Sequence, residues 1–126
     1  MTRTVLLADD NEANRYLAKF ALDRAGFRVV TAGDGEEALR QARLHRPDIV
    51  LMDVQMPLLD GFEATERLRA DPELAAIPVV ALTAYVTAED QVRAREAGCD
   101  GHIAKPIDAL RFAEQVAAFM SRGNAG

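Results

Sequence analysis

Three aspartates, a threonine and a lysine stand where they could act together. Asp9 and Asp10 directly follow the apolar run Val5-Leu6-Leu7-Ala8, and Asp53 follows Ile49-Val50-Leu51-Met52. Thr83 ends the run Val79-Val80-Ala81-Leu82, and Lys105-Pro106 follows Gly101-His102-Ile103-Ala104. Gathered carboxylates repel one another unless a proton or a cation intervenes. An all-oxygen cluster without His or Cys selects a hard cation, and Mg²⁺ is the expected one. Such an ion keeps several waters and leaves positions open for phosphate oxygens. Lys105 adds a point charge and Thr83 a hydroxyl donor, which together equip a site to stabilise a phosphoryl group in transfer. No Walker or other Gly-rich phosphate loop supports a bound nucleotide, so the phosphoryl group comes from another donor, and a carboxylate can serve as its nucleophile. A single aspartate after a strand reads equally well as a helix cap; five matching positions on one rim do not.

The rim exists only if the apolar runs are strands of one parallel sheet, because in such sheets sites form beyond the carboxyl ends of the strands. The chain has 126 residues and 13.7 kDa, the size of one domain, with 49% hydrophobic and 28% charged residues, a globular composition. Five apolar runs, the four above and Phe27-Arg28-Val29-Val30, alternate with segments of helical period. The first, third and fourth runs are continuously apolar, as strands buried on both faces are, while the second and fifth are more polar, as edge strands are. The first helix is expected from Glu12 to Ala25, with Ala13, Leu17, Phe20 and Ala21 on its inner face and Gly26 as its stop. The second follows Asp34-Gly35, the third follows Asp60-Gly61, and the fourth opens at Thr87 with a capping box and ends at Gly98. The fifth carries Leu110, Phe112, Val116, Phe119 and Met120. Five strands alternating with five helices predict a parallel α/β sandwich with right-handed crossovers. The core spans about residues 4–120 of a single domain, 1–126, and residues 121–126 are expected to form a frayed tail.

Charge and cysteine content narrow the classes of function. Twenty acidic residues exceed fifteen basic ones, giving a net charge of −5 and a pI near 5.0, which disfavours direct binding of nucleic acid or anionic membrane. No apolar run approaches membrane-spanning length, and no signal peptide is apparent. The single cysteine, Cys99, can form neither an internal disulfide nor a zinc site alone and has no basic neighbour in sequence, so an ordinary thiol in a cytoplasmic protein is the expectation. Of the fifteen basic residues only Lys19 and Lys105 are lysines, which singles out Lys105 at the rim.

The motifs resemble the receiver domain of two-component response regulators from about Thr4 to Phe119. The matching pieces are Val5-Leu6-Leu7-Ala8-Asp9-Asp10-Asn11, Pro47-Asp48-Ile49-Val50-Leu51-Met52-Asp53-Val54-Gln55-Met56-Pro57, Asp60-Gly61, Ile77-Pro78-Val79-Val80-Ala81-Leu82-Thr83-Ala84 and Gly98-Cys99-Asp100-Gly101-His102-Ile103-Ala104-Lys105-Pro106-Ile107. The resemblance implies a flavodoxin-like, doubly wound five-stranded sheet of order 2-1-3-4-5. It implies that Asp53 takes a phosphoryl group from a partner's phosphohistidine as an acyl phosphate. It further implies Asp10 as a direct Mg²⁺ ligand, Asp9 as one acting mainly through water, Asp53 as a ligand, and the Gln55 carbonyl as the remaining protein ligand. Lys105 would pair with one phosphoryl oxygen, and Thr83 with the Ala84 amide would bind another. Thr83 is also the implied switch, coupled in the family to an aromatic three residues before the lysine. This sequence has His102 there, and a switching histidine and a solvent-facing one are both open readings. Gln55 and Tyr85 occupy positions that tune dephosphorylation, and the Lys105-Pro106 bond is expected to be cis.

The implied partners are a sensor histidine kinase or a histidine phosphotransfer protein, and a downstream output protein. The implied role is signalling rather than enzymatic turnover of a substrate. A phosphorelay shuttle and a receiver cut from a hybrid histidine kinase are the alternatives; Met1 and the short tail point to a stand-alone chain. A Mg²⁺-dependent phosphohydrolase is disfavoured because Asp9 and Asp10 are adjacent and no segment is long enough for a substrate cap. A binding module that is not phosphorylated would be expected to lack Asp10, Asp53 or Lys105. Gly33-Asp34-Gly35-Glu36-Glu37-Ala38 fits a dinucleotide fingerprint, but its acidic residues would repel a pyrophosphate, so Asp34 reads as a helix cap.

Overall fold

The computed structural model describes residues 2–56, 59–84 and 87–124, with side chains described as far as Met120. Five strands, β1 (Thr4–Ala8), β2 (Arg28–Ala32), β3 (Ile49–Asp53), β4 (Val79–Thr83) and β5 (Gly101–Ala104), form one parallel sheet of order β2-β1-β3-β4-β5. Five helices alternate with them: α1 (Glu12–Arg24), α2 (Gly35–His45), α3 (Gly61–Ala70), α4 (Ala88–Ala97) and α5 (Phe112–Asn124). The two more polar runs are the edges, as the composition requires.

Strand periodicity divides the core between two faces. Val5, Leu7, Ile49, Leu51, Val80, Leu82 and Ile103 meet Ala18 and Leu22 of α1 and Phe112, Val116 and Met120 of α5. Leu6, Ala8, Val50, Met52 and Val79 meet Ala38, Leu39 and Ala42 of α2 and Ala64 and Leu68 of α3. α4 is the exception: among its described residues only Ala97 is buried.

The helix starts are built by side-chain caps. Asn11, Asp34, Asp60 and Thr87 each accept a hydrogen bond from the backbone N–H three residues on, satisfying a donor that the first turn leaves unpaired. Asp34 thus caps α2, as its acidic neighbours imply. At the opposite end of the molecule Arg69 joins three segments. Its guanidinium donates to the carbonyls of Ala75, Ile77 and Gly98 and to Asp100 Oδ2 at 2.7–2.9 Å, while Asp100 Oδ2 also accepts from Val79 N.

Two expectations about packing are corrected. The inner face of α1 is Ala18, Ala21 and Leu22; Ala13 is exposed, and Leu17 and Phe20 are 39% and 50% exposed. The helix is turned by about one residue, roughly 100°, from its apolar pattern. Ala18 and Ala21 let α1 lie close to the sheet with Leu22 packed beside them, and Leu17 and Phe20 are left outside, where Tyr16 stacks on Phe20 and Arg24 lies over the Phe20 ring at 5.6 Å. Leu110 is 92% exposed in the turn before α5, which starts at Phe112. The strands also extend one or two residues past most apolar runs, so Thr31 lies inside β2. The backbone of the 121–126 segment is helical through Asn124; the rest lies outside the described residues.

Candidate functional site

The parallel register ends β1, β3 and β4 at one rim. Met52 pairs with Ala8 and with Ala81, which places Asp9 and Asp53 side by side one residue on. Lys105 joins them because its N–H donates to Thr83 O at 2.8 Å, continuing the β4–β5 ladder past Ala104. The Lys105-Pro106 bond is cis. Gly61, the first residue of α3, presses on the Asp53 carbonyl, and a Cβ there would overlap that oxygen and Val54 Cα.

Asp9 and Asp53 are buried, Asp10 is exposed, and each offers a carboxylate oxygen within 4.8 Å of the others. Lys105 Nζ lies 3.1 Å from Asp9 Oδ2 and 3.1 Å from Asp53 Oδ2. The other oxygens are held by the backbone: Asn11 N donates to Asp9 Oδ1 at 2.9 Å and Gln55 N to Asp53 Oδ1 at 3.1 Å. Arg15 donates to the Asp9 carbonyl at 2.6 Å, tying α1 to the same turn. Asp9 Oδ2 is fully buried and its contact with Lys105 is an ion pair without hydrogen-bond geometry, so this oxygen keeps an unused acceptor.

The electrostatics follow from burial and crowding. Burial pushes the Asp53 carboxyl above the ordinary range, and the neighbouring Asp9 charge adds to that, against the lowering effects of the Gln55 N–H and Lys105. Burial alone would lower the Lys105 ammonium, but the two carboxylates outweigh it and hold it above its usual value. One ammonium thus serves two buried carboxylates with a third at the mouth. The donor set is all oxygen, crowded and short of positive charge, and contains an unused buried acceptor. It fits a small hard cation.

The carboxylates open into a cavity of about 520 Å³ lined by Asp10, Asp53, Gln55, Thr83, Ala84 and Lys105 together with Asn14, Asp60, Phe62, Asp90 and Arg93. Every described residue expected at the rim is therefore in or beside this cavity except His102. His102 pairs with Ala81 on β5 and is exposed; it borders a small apolar depression with Thr83, Phe62 and Ala94. Tyr85 and Pro57 lie outside the described residues. Asp60 was read with Gly61 as the start of the third helix, and it lies at the cavity; the sequence reading missed Phe62 and Arg93. They come from α3 and α4, and no motif marks which residues of those helices turn toward the rim. Arg93 lies over the Phe62 ring at 4.8 Å and 3.5 Å from Asp60 Oδ2.

Comparison with known proteins agrees with this geometry. Residues 5–117 match the response regulator receiver domain family. The polar-differentiation response regulator DivK of Brucella ovis is 40% identical over 120 residues, covering 95% of this chain and 98% of that one. The chemotaxis response regulator CheY4 of Vibrio cholerae superposes with a TM-score of 0.90 at 29% identity, covering 94% of this chain and 99% of that one. The receiver domain of a sensor histidine kinase from Pseudomonas aeruginosa PAO1, with a magnesium ion coordinated in its active-site cleft, superposes with a TM-score of 0.87 at 31% identity, covering 96% and 99%.

Proposed function

The chain belongs to the response regulator receiver domain family, and we propose that within it Asp53 is the phosphoacceptor, served by Lys105, Thr83 and the Ala84 amide. The observation that carries this is the pair of buried carboxylates, Asp9 and Asp53, sharing one ammonium at 3.1 Å. Asp53 Oδ2 attacks the phosphorus of a phosphohistidine. The new P–O bond forms as the P–N bond breaks, and the imidazole, already protonated on its other ring nitrogen, leaves neutral. Lys105 meets the charge on the transferring group from one side, and Thr83 with the Ala84 N–H from another. Release is the converse displacement: water attacks phosphorus, the bond to Asp53 breaks, and the carboxylate returns with inorganic phosphate.

Asp10, Asp9, Asp53 and the Gln55 carbonyl are the residues that would hold Mg²⁺, with Asp9 acting through water. Bound there, the ion would neutralise the carboxylates and draw in a phosphoryl oxygen. Thr83 is the proposed switch residue, and the depression beside it is where His102 would turn inward. The partners are a sensor histidine kinase or a histidine phosphotransfer protein upstream and an output protein downstream, met in the cytoplasm. Among the described residues no helix is long and apolar enough to cross a membrane. The role is that of a signalling phosphoacceptor that assists its own transfer reactions.

The test is intact mass after incubation with Mg²⁺ and acetyl phosphate, beside an Asp53→Asn control. One added phosphoryl group in the parent and none in the control is expected. If the parent gains nothing, beryllofluoride titration decides; absence of Mg²⁺-dependent binding there would overturn the phosphoacceptor reading in favour of a binding module.

A further inference from the structure

The geometry points to Arg93 as a second cation for the phosphoryl group: we infer that it exchanges Asp60 for the phosphoryl oxygens and carries α4 with it. This rests on the phosphoacceptor reading of Asp53. Arg93 lines the same cavity as Asp53, Lys105 and Thr83. Its present ion pair is loose, at 3.5 Å with the two side chains 59% and 28% exposed, and such pairs contribute little. Asp60 does not need it, because its Oδ1 caps α3 through Glu63 N at 2.9 Å whatever Oδ2 does. The Phe62 ring under the guanidinium keeps it at the cavity wall and would let it slide without losing that contact.

Charge favours the exchange. Asp9, Asp10, Asp53, Asp60 and Asp90 stand in and around the cavity against Lys105 and Arg93. Phosphorylation turns one carboxylate into a group carrying nearly two charges with three strong acceptor oxygens. A planar guanidinium engages such a group through two parallel hydrogen bonds, whereas with Asp60 it has a single long contact. The consequence reaches α4 because Arg93 sits in the middle of a helix that buries only Ala97 among its described residues. A helix held by so little apolar contact moves readily when one of its polar tethers changes partner.

The test uses the whole chain with beryllofluoride as the phosphoryl mimic and a separate Mg²⁺ titration. Arg93→Ala should weaken beryllofluoride binding about tenfold while leaving Mg²⁺ affinity within twofold, and Arg93→Lys should fall between. Asp60→Asn keeps a capping side chain and removes the competing charge, so it should tighten beryllofluoride binding several-fold. That gain should vanish in the Asp60→Asn/Arg93→Ala double variant. Equal beryllofluoride affinity in Arg93→Ala and parent would overturn the inference. So would an Asp60→Asn gain that persists without Arg93, because it would then be a general field effect. If the parent itself binds no beryllofluoride, the phosphoacceptor reading fails and this inference with it. Thermal melting of each variant separates these outcomes from misfolding.

Discussion

Replacing Asp53 by Asn should make the metal-free protein more stable, although the change breaks an ion pair. Asp53 faces two carboxylates, with ligand oxygens no more than 4.8 Å apart, and one ammonium at 3.1 Å. At an effective dielectric of about 20, each repulsion is at least about 3.5 kcal/mol and the attraction about 5 kcal/mol. Asp10 is exposed and its repulsion is largely screened, so repulsion and attraction come near to cancelling and desolvation decides the sign. Removing a buried charge also relieves desolvation, the main cause of the raised Asp53 pKa. Asn keeps an Oδ1 to accept from Gln55 N, and Lys105 keeps Asp9. In chelator the variant should gain about 1–3 kcal/mol, or about 3–10 °C in Tm for a domain of this size. Adding Mg²⁺ should narrow that advantage. At ten times its Kd the ion stabilises the parent by about 1.4 kcal/mol, and the variant, missing one ligand, gains less. The pH dependence follows from the raised pKa. Below the ordinary carboxyl range Asp53 is protonated in both states and costs nothing. As pH rises through that range the unfolded chain ionises first, so the parent loses stability until folded Asp53 ionises too. The advantage of the variant should therefore be absent in acid, open as pH rises, and then stay constant. Melting of parent and variant in chelator, across pH and across Mg²⁺ concentration, measures all of this. A variant that melts below the parent in chelator at neutral pH would refute the reasoning and make the Asp53–Lys105 pair the dominant interaction.

Gly61→Ala should lose several kcal/mol of stability, because its Cβ would meet Asp53 O and Val54 Cα, both backbone atoms that cannot move aside. It should also weaken Mg²⁺ binding; unchanged melting and unchanged Mg²⁺ affinity would mean that α3 does not brace the Asp53 carbonyl. Arg69→Ala should cost about 2–4 kcal/mol in denaturant unfolding by stripping donors from three carbonyls and from Asp100, with Arg69→Lys recovering only part. A cost below about 0.5 kcal/mol would show that water replaces the guanidinium there. Cys99, whose thiol burial pushes above its ordinary range despite a contact with Thr65, should react with an aromatic disulfide reagent at neutral pH at least tenfold more slowly than in the unfolded chain. Equal rates would contradict its burial.

How far each feature was legible depends on whether local or tertiary forces decide it. The alternation of apolar runs with helical segments, the polar second and fifth runs, and the Asp and Thr caps are read from neighbours in sequence, and the edge strands, caps and rim follow them, whereas the full sheet order came from the family resemblance. Asp9, Asp53, Thr83 and Lys105 were findable because a parallel sheet sends every strand end to the same edge, so position after an apolar run is position in space. The face of α1 was not. Apolar content favoured Leu17 and Phe20 along with Ala21, but packing on the sheet keeps only Ala21 of these and buries Ala18 and Leu22, and shape complementarity is a property of two surfaces. The outward orientation of His102 was likewise left open, since a strand residue's face depends on its partner's register. Arg93 was hidden for the strongest reason. It lies on a helix with almost no apolar face, so only the assembled cavity shows that it stands over Phe62 and opposite Asp60. The sequence by itself determined the chemistry of the rim, because residue type and strand-end position suffice for that. Only the tertiary structure decided which groups of α3 and α4 complete it, because helix rotation answers to packing between elements distant in the chain.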